Sequence, residues 1–163
     1  MVEELLLSLG YLGAFLAGMI SSVSLFLPLP GFIVVFLLGS QLNPIGVGVL
    51  GGLGAAIGEL TGYLIGLGGQ KLATLKNKKR AKWLNRIERA FQKYHPGAII
   101  FAFAATPLPF DFIGIFCGAT GYPAKHFFMY TLAGKLLKYL FIALAGFYGS
   151  EWVKSWFSLS VGK

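Results

Sequence analysis

The sequence predicts an all-α integral membrane protein built from an internal repeat. No Asp, Glu, Lys or Arg occurs between Leu5 and Gly58, whereas a membrane-spanning helix needs only about 20 apolar residues. The mean hydropathy of the chain is +0.72, and 56% of its residues are hydrophobic. A soluble domain needs a charged, hydrated surface, so the buried core of a soluble protein that lacks its partner is the disfavoured alternative.

The repeat is visible in the prolines. Six of the seven prolines form two triplets with the same spacing, and a glycine stands at the same position in each. Proline has no backbone N–H and clashes with the preceding turn, so each Pro-Leu-Pro turn should break a helix inside apolar sequence. A repeated broken helix indicates a transporter-like binding site near the middle of the bilayer. The predicted hairpin-turn residues are Pro28, Pro30 and Gly39, followed by Pro44, and Pro107, Pro109 and Gly118, followed by Pro123.

Short arms around each turn predict two re-entrant helical hairpins. In the second copy, Gly97–Ala105 and Phe112–Gly121 flank a tip at Thr106–Asp111, and each arm covers roughly half of a bilayer crossing. Thr106 is predicted to cap the returning helix. Non-helical backbone at this depth is tolerated only where protein or a wet cavity covers it. The first copy should do the same around Leu27–Gly31, although its incoming arm is long enough for a full span.

One hairpin and one spanning helix per copy give an odd number of crossings, which makes the two copies an inverted repeat. The whole chain, 1–163, is predicted to be a single membrane domain. Repeat 1 covers about 11–69, a basic linker helix about 71–95, and repeat 2 about 96–150. This arrangement places both termini outside.

The net charge of +8 arises from the segment between the repeats, Lys71–Lys93. Basic residues between hydrophobic segments mark the cytoplasmic side, so segment 71–95 is predicted to face the cytoplasm of a multi-pass cell-membrane protein. The spacing of three and four residues indicates a basic amphipathic helix on the anionic leaflet; a topology signal without a lipid ligand is an equal alternative. Nucleic-acid binding is disfavoured because no soluble domain presents the segment. The predicted lipid-surface residues are Lys79, Lys82, Arg86, Arg89 and Lys93.

Two long apolar segments, Ile45–Gly69 and His126–Gly149, predict spanning helices. The first carries a glycine at every fourth position, which on a helix forms a smooth stripe for close helix contact. The stripe suits contacts within the chain and contacts between copies equally, so a homo-oligomer stays open. It consists of Gly54, Gly58, Gly62 and Gly66.

Four charged residues, Glu59, Asp111, Lys135 and Lys138, fall at membrane depth. Each costs about 2.5 to 3.5 kcal/mol at the centre of a lone inserted helix, so each should face a partner or a wet cavity. Aligning the two spans superposes Glu59 on Lys135, and in an inverted pair these positions can meet. We expect both to line a substrate or proton pathway together with Asp111, Lys138 and Thr106. The alternatives are an ion pair that only fixes helix register and, for Lys138, a side chain that reaches to the interface.

The sequence holds no pattern typical of an enzyme. It lacks a Ser/His/Asp set at convincing spacing, a phosphate-binding loop and a Cys/His metal cluster, and its single cysteine excludes an internal disulfide. We therefore expect no catalytic residues, no metal site and no cofactor.

Three motifs follow one another along the chain: Pro28-Leu29-Pro30-Gly31, Gly58-Glu59 with Gly62-Tyr63 and Gly66, and Pro107 with Gly118. Together they resemble the DedA membrane proteins, also called VTT-domain or SNARE-associated Golgi proteins. The resemblance implies two membrane-embedded hairpins that face each other in an inverted repeat. It also implies lipid translocation, either flipping of polyprenyl-phosphate carriers or scrambling of phospholipids, with proton dependence in some members. Glu59 stands where the family has a membrane carboxylate.

The chain departs from the family pattern at two places. The arginines that flank the second proline turn in many bacterial members are replaced by Ala104–Thr106 and Phe110-Asp111. A serine-rich stretch, 21–24, stands where an acidic residue often precedes the first turn. Lys135 and Lys138 are the substitute cations that the sequence offers; a less selective scramblase is the alternative.

The sequence therefore predicts a transporter of membrane lipids, a flippase or scramblase that moves polyprenyl-phosphate or phospholipid head groups. An ion-coupled transporter of a small soluble solute and a non-transporting membrane organiser are the alternatives. An enclosed pocket favours the solute transporter, whereas a groove open to lipid favours the lipid transporter.

Overall fold

The computed structural model describes residues 2–23, 31–70, 89, 91, 94–106 and 110–161. Within these ranges the chain forms six helices and no strand, which confirms the all-α prediction for this part of the chain. The helices are α1 Val2–Val23, α2 Gly31–Gly39, α3 Pro44–Gln70, α4 Pro96–Ala105, α5 Asp111–Ala119 and α6 Ala124–Val161.

Two helices are long and apolar enough to cross a membrane, judged by length and composition. They are Pro44–Gly69 in α3, with 26 residues, and Ala124–Ser150 in α6, with 27 residues. At 1.5 Å per residue each reaches about 40 Å, more than the roughly 30 Å of hydrocarbon in a bilayer. Both agree with the predicted spans within a few residues. The extension of α6 to Val161 was not predicted.

Polar residues and prolines define the starts of α3 and α4. The Asn43 side chain accepts hydrogen bonds from the backbone N–H groups of Ile45 and Gly46, at 2.9 and 3.3 Å. His95 Nδ1 accepts a hydrogen bond from the Gly97 N–H at 3.2 Å. In both helices the next residue after the cap is a proline, whose missing N–H and fixed φ suit the first helical position.

The long helices α3 and α6 run antiparallel against each other. Gly48, early in α3, lies against Leu140 in α6, whereas Tyr63, late in α3, stacks on Phe127 near the start of α6 with ring centroids 5.1 Å apart. The contact extends over most of both candidate spans, so these two helices form the centre of the fold.

Helix α4 packs parallel to α6, since Gly97 lies against Tyr130 and Gly134 lies against Phe101. At Gly134 a glycine is needed, because a Cβ atom would overlap the backbone carbonyl of Phe101, whereas Gly97 faces the ring of Tyr130. The backbone of α4 therefore lies directly on the first half of α6.

Helix α5 packs parallel to α3, with Gly62 facing Asp111 and Gly66 facing Ile115. Because α3 and α6 are antiparallel, α4 and α5 are antiparallel too. They form a hairpin of two short helices, of 10 and 9 residues. Phe91 packs its ring on Phe116 at 5.1 Å, so the chain enters and leaves this hairpin at the same end.

The first copy has the same plan. Helix α1 packs parallel to α3, with Gly18 against Gly51 and Met19 against Gly58. Helix α2 then returns along α1.

Two contacts show the direction of α2: Gly31 lies against Ala17, and Leu38, further along α2, lies against Gly13, earlier in α1. Helices α1 and α2 are therefore antiparallel and form the other hairpin. Its turn, like the predicted turn residues Pro28, Pro30, Pro107 and Pro109, lies outside the described residues.

The predicted basic helix also falls almost entirely outside the described residues. Lys79, Lys82, Arg86 and Lys93 belong to this undescribed part, and only Arg89 is described, as an exposed helical residue. The lipid-surface role of this segment stays a prediction.

The prediction that Gly39 and Gly118 belong to the hairpin turns is wrong. Gly39 is the last residue of α2, and Gly118 lies in the last turn of α5. A Cβ at Gly39 would overlap the backbone of Ala143 in α6, and a Cβ at Gly118 would overlap the backbone of Tyr63 in α3. Each glycine lets the second arm of a hairpin touch the long helix of the other copy.

The glycine stripe of α3 is used within the chain. Gly54 and Gly58 lie against the backbone of α1, and Gly66 lies against the backbone of α5, while Gly62 has the Asp111 carbonyl at an ordinary 3.8 Å. Lipid supplies no hydrophobic force that drives helices together, so close contacts of this kind depend on small residues.

Two glycines of α3 that are separated by a single residue, Gly66 and Gly68, allow a matched test. At Gly66 a Cβ would overlap the Ile115 carbonyl, whereas at Gly68 a Cβ meets nothing within 4 Å. We expect Gly66→Ala to destabilise the protein by about 1–3 kcal/mol, the usual cost of overpacking. Gly68→Ala should be neutral or stabilising by up to about 1 kcal/mol, because alanine favours a helix.

Thermal unfolding of the purified variants in detergent, followed by fluorescence, compares the two midpoints. Equal midpoints for Gly66→Ala and the wild-type protein would contradict the close packing of α3 on α5.

Candidate functional site

The centre of the site is an ion pair between the two long helices. Lys135 Nζ in α6 donates a hydrogen bond to Glu59 Oε1 in α3 at 2.5 Å, and the two residues are only 6% and 3% exposed. They are separated by 76 positions, the offset that aligns the two spans. The predicted meeting of Glu59 and Lys135 is therefore confirmed.

Aromatic rings cover the ion pair. Lys135 Nζ lies 5.2 Å from the ring centroid of Phe110, within the range of a cation–π interaction. The Phe110 ring packs on Phe127 at 5.9 Å, and Phe127 is 0% exposed. A charge pair in such surroundings interacts strongly, but its members are costly to separate.

The second lysine holds the tip of the α4–α5 hairpin. Lys138 Nζ donates a hydrogen bond to the Thr106 carbonyl oxygen at 3.3 Å. Thr106 follows the last residue of α4 and has an extended backbone, with φ −99° and ψ 166°. The freed carbonyl at the helix end is thus the partner of Lys138, and the alternative that Lys138 reaches to the interface stays a prediction.

The prediction that Thr106 caps the returning helix is also wrong. Its hydroxyl donates back to the Ala102 carbonyl at 2.8 Å, so it completes the end of α4. Helix α5 begins five residues later, at Asp111, with Phe110 in the capping position and no side-chain hydrogen bond there. A threonine that ends one helix is too far along the chain to cap the next one.

Asp111 is the first residue of α5 and is partly buried. A carboxylate at this end of a helix is favoured by the helix dipole. Within the described part of the chain, Asp111 forms no ion pair with Lys135 or Lys138. A common cavity that joins Asp111 to the ion pair stays a prediction.

Two buried tyrosines, each one turn after a member of the ion pair, hold the hairpins and were not predicted. Tyr63 Oη donates to the Tyr122 carbonyl at 2.6 Å, where the α4–α5 hairpin ends. Tyr139 Oη lies 3.1 Å from Ser21 Oγ, near the end of α1. The two tyrosines superpose when the spans are aligned. This match is the feature of the sequence that could have indicated their equivalent roles.

An open apolar groove lies between α2 and α6 and was not predicted. Its volume is about 320 Å³. Its lining contains no polar surface and consists of Phe32, Ile33 and Phe36 from α2 and Phe141, Ile142 and Ala145 from α6. Lys138 lies one helical turn before Ile142, on the same face of α6. The groove therefore begins one helical turn after Lys138 along α6, while the Lys138 ammonium itself binds Thr106.

No group of three His, Cys, Asp or Glu side chains that could hold a metal ion occurs among the described residues. The expectation of no metal site and no cofactor stays a prediction. Cys117 is a buried free cysteine in the core around Phe127.

A family model, the VTT domain, matches residues 29–148. The match covers more than half of the chain, and it includes the ion pair, the α4–α5 hairpin and the groove. The chain belongs to the VTT domain family. Searches of curated proteins and of solved structures found no match. The resemblance to the DedA and VTT proteins is thus confirmed, and the two apolar helices agree with a membrane protein of this family.

In this VTT domain protein, the ion pair allows a test of its contribution to stability. We expect Glu59→Leu or Lys135→Met alone to destabilise the fold by about 3–5 kcal/mol, because each leaves an unpaired buried charge. The double variant should regain most of this loss, because hydrophobic residues of similar volume often replace a buried pair without penalty.

A double-mutant cycle on thermal unfolding in detergent measures the coupling between the two positions. If the effects of the two single variants simply add in the double variant, the two side chains do not interact.

Proposed function

We propose that this VTT domain protein transfers membrane lipids between the two leaflets, as a flippase or scramblase for polyprenyl-phosphate or phospholipid head groups. The observation that carries the proposal is the position of Lys138. Its ammonium group binds the hairpin tip, and its backbone position lies one helical turn before Ile142, a residue of the apolar groove. A lipid has the same combination, an anionic phosphate joined to hydrocarbon chains.

The proposal includes two re-entrant hairpins in an inverted repeat. It is supported by the short, antiparallel arms of each hairpin and by the antiparallel contact of α3 with α6. It is supported further by the level of the Thr106 tip, which binds Lys138 close to the middle of Ala124–Ser150. A re-entrant tip at this depth requires partners for its free peptide groups, and the Lys138 ammonium is such a partner.

In the proposed path, the head group passes the hairpin tip while the hydrocarbon chain stays in the groove or in the bilayer. Lys138 has N–H groups besides the one that binds Thr106, and these can bind phosphate oxygens. Glu59 and Lys135 together are neutral, so they add polar groups to the path without a net charge. Glu59 is the residue through which a proton requirement acts, if transport has one.

The shape of the groove favours a lipid over the alternative substrate. A site for a small soluble solute is enclosed and offers a few converging polar groups. The groove beside α6 is open and has no polar lining, so it fits hydrocarbon. We further propose a cell-membrane location with segment 71–95 facing the cytoplasm, which the basic charge of that segment supports.

Lys138 provides the first test in lipid vesicles. Purified protein is reconstituted with a fluorescent phospholipid, and dithionite bleaches only the label in the outer leaflet. We expect wild-type protein to expose inner-leaflet label and Lys138→Met to slow this about tenfold, because a hydrogen bond to a charged group contributes about 1.5–3 kcal/mol. Lys125→Met, which removes an exposed lysine of the same helix, is the matched control.

Equal rates for Lys138→Met and Lys125→Met would exclude the proposed role of Lys138. If wild-type protein exposes no label, unselective scrambling is excluded, and the same assay with a labelled polyprenyl phosphate tests selective flipping. The folded double variant of the ion pair, Glu59→Leu with Lys135→Met, separates structure from transport. If that variant transports normally, the pair only fixes helix register.

The groove provides an independent test on α6. We expect Ala145→Trp to fill the groove and slow lipid transfer several-fold, because a hydrocarbon chain no longer fits. Ala133→Trp places the same bulk on an exposed position outside the groove and should transport at the wild-type rate. Both variants are compared at equal amounts of folded protein, and a normal rate for Ala145→Trp would show that the chain does not use this groove.

A further inference from the structure

The hydroxyl of Thr131 differs from six other serine and threonine hydroxyls among the described residues. Serine and threonine in helices usually satisfy the hydroxyl by donating to a carbonyl three or four residues back. Six hydroxyls do so here, those of Ser21, Ser40, Thr61, Thr106, Thr120 and Ser150. Thr131 is 0% exposed and its hydroxyl has no hydrogen-bond partner among the described residues.

A second buried polar atom, in the Glu59 carboxylate, also lacks a hydrogen-bond partner among the described residues. Glu59 Oε1 binds Lys135, but the other carboxylate oxygen, Oε2, is buried and unpaired among the described residues. A buried polar atom without a partner is rare in a folded protein, and each case calls for a ligand, a water molecule or a functional explanation.

The two atoms face the same interface. Thr131 lies one turn after Phe127 and one turn before Lys135 on α6, so the three residues share one face of the helix. Phe127 and Lys135 both contact α3, through Tyr63 and Glu59 respectively. Thr131 therefore lies on the face of α6 that meets α3, in the turn between these two contacts.

We propose that one water molecule binds between Thr131 and Glu59 and completes the ion pair. It accepts a hydrogen bond from the Thr131 hydroxyl and donates one to Glu59 Oε2. A further N–H of the Lys135 ammonium supplies a third bond, and buried waters make about three. Thr131 and Glu59 do not bond each other directly, and one water between them gives both atoms a partner.

A metal cation does not fit the same place. The Lys135 ammonium already neutralises the carboxylate at 2.5 Å and would repel a second cation. Water, by contrast, is neutral and can donate and accept at once. Thr131 is thereby a positioning residue, which orients the Glu59 carboxylate through the water, and this role does not depend on which substrate the protein transports.

The experiment compares Thr131→Val, which removes the hydroxyl but keeps the shape, with Thr131→Ser, which keeps the hydroxyl. Full-length protein in lipid is studied by infrared spectroscopy in ordinary water and in water labelled with oxygen-18. We expect the wild-type protein to show a stretching band of a buried water that shifts with the isotope. Thr131→Val should lose this band and Thr131→Ser should keep it.

The infrared band decides the outcome. If no isotope-sensitive band is lost in Thr131→Val and kept in Thr131→Ser, the proposal is wrong, whatever happens to stability. Thermal unfolding gives a second readout with opposite expectations. Loss of the water bridge should lower the midpoint of Thr131→Val by about 2–4 °C, whereas removal of a truly unsatisfied hydroxyl should leave it unchanged or raise it, which would also overturn the proposal.

Discussion

The close approach of helix backbones is the constraint on which the rest of this structure depends. Lipid supplies no hydrophobic drive between helices, so association relies on short packing distances and hydrogen bonds. Gly54 brings α1 onto α3, Gly66 brings α5 onto α3, and Gly146 brings α2 onto α6. With the helices this close, the side chains that remain between them have few conformations available. Glu59 and Lys135 are left facing each other, with the ring of Phe110 over the Lys135 ammonium.

Much of the fold could be predicted from the sequence because its signals are local or repeated. Apolar length identified α3 and α6, and the Pro-Leu-Pro turn located the break between α4 and α5. The Glu59–Lys135 pair is a long-range contact, yet the alignment of the two copies predicted it. An internal repeat supplies structural information that a single copy does not carry, because aligning the copies pairs distant positions, and here one such pair is in contact.

Other features could not be predicted because they depend on where neighbouring helices come to lie. Thr106 has a side chain suited to capping either adjacent helix, and only the start of α5 at Asp111 shows which one it serves. The groove combines residues of α2 with residues more than 100 positions later in α6. Thr131 resembles any threonine in an apolar helix, and its unusual hydroxyl becomes visible only when the bonds of the other hydroxyls are known.

Both hairpins are attached to α6 at adjacent residues. Lys138 binds the end of α4 through the Thr106 carbonyl, and Tyr139 binds the end of α1 through Ser21. Neighbouring residues on a helix point about 100° apart, so a rotation of α6 about its axis moves both attachments by the same angle. The two hairpins therefore share one point of attachment on α6, and a movement of this helix about its axis would displace both bonds together.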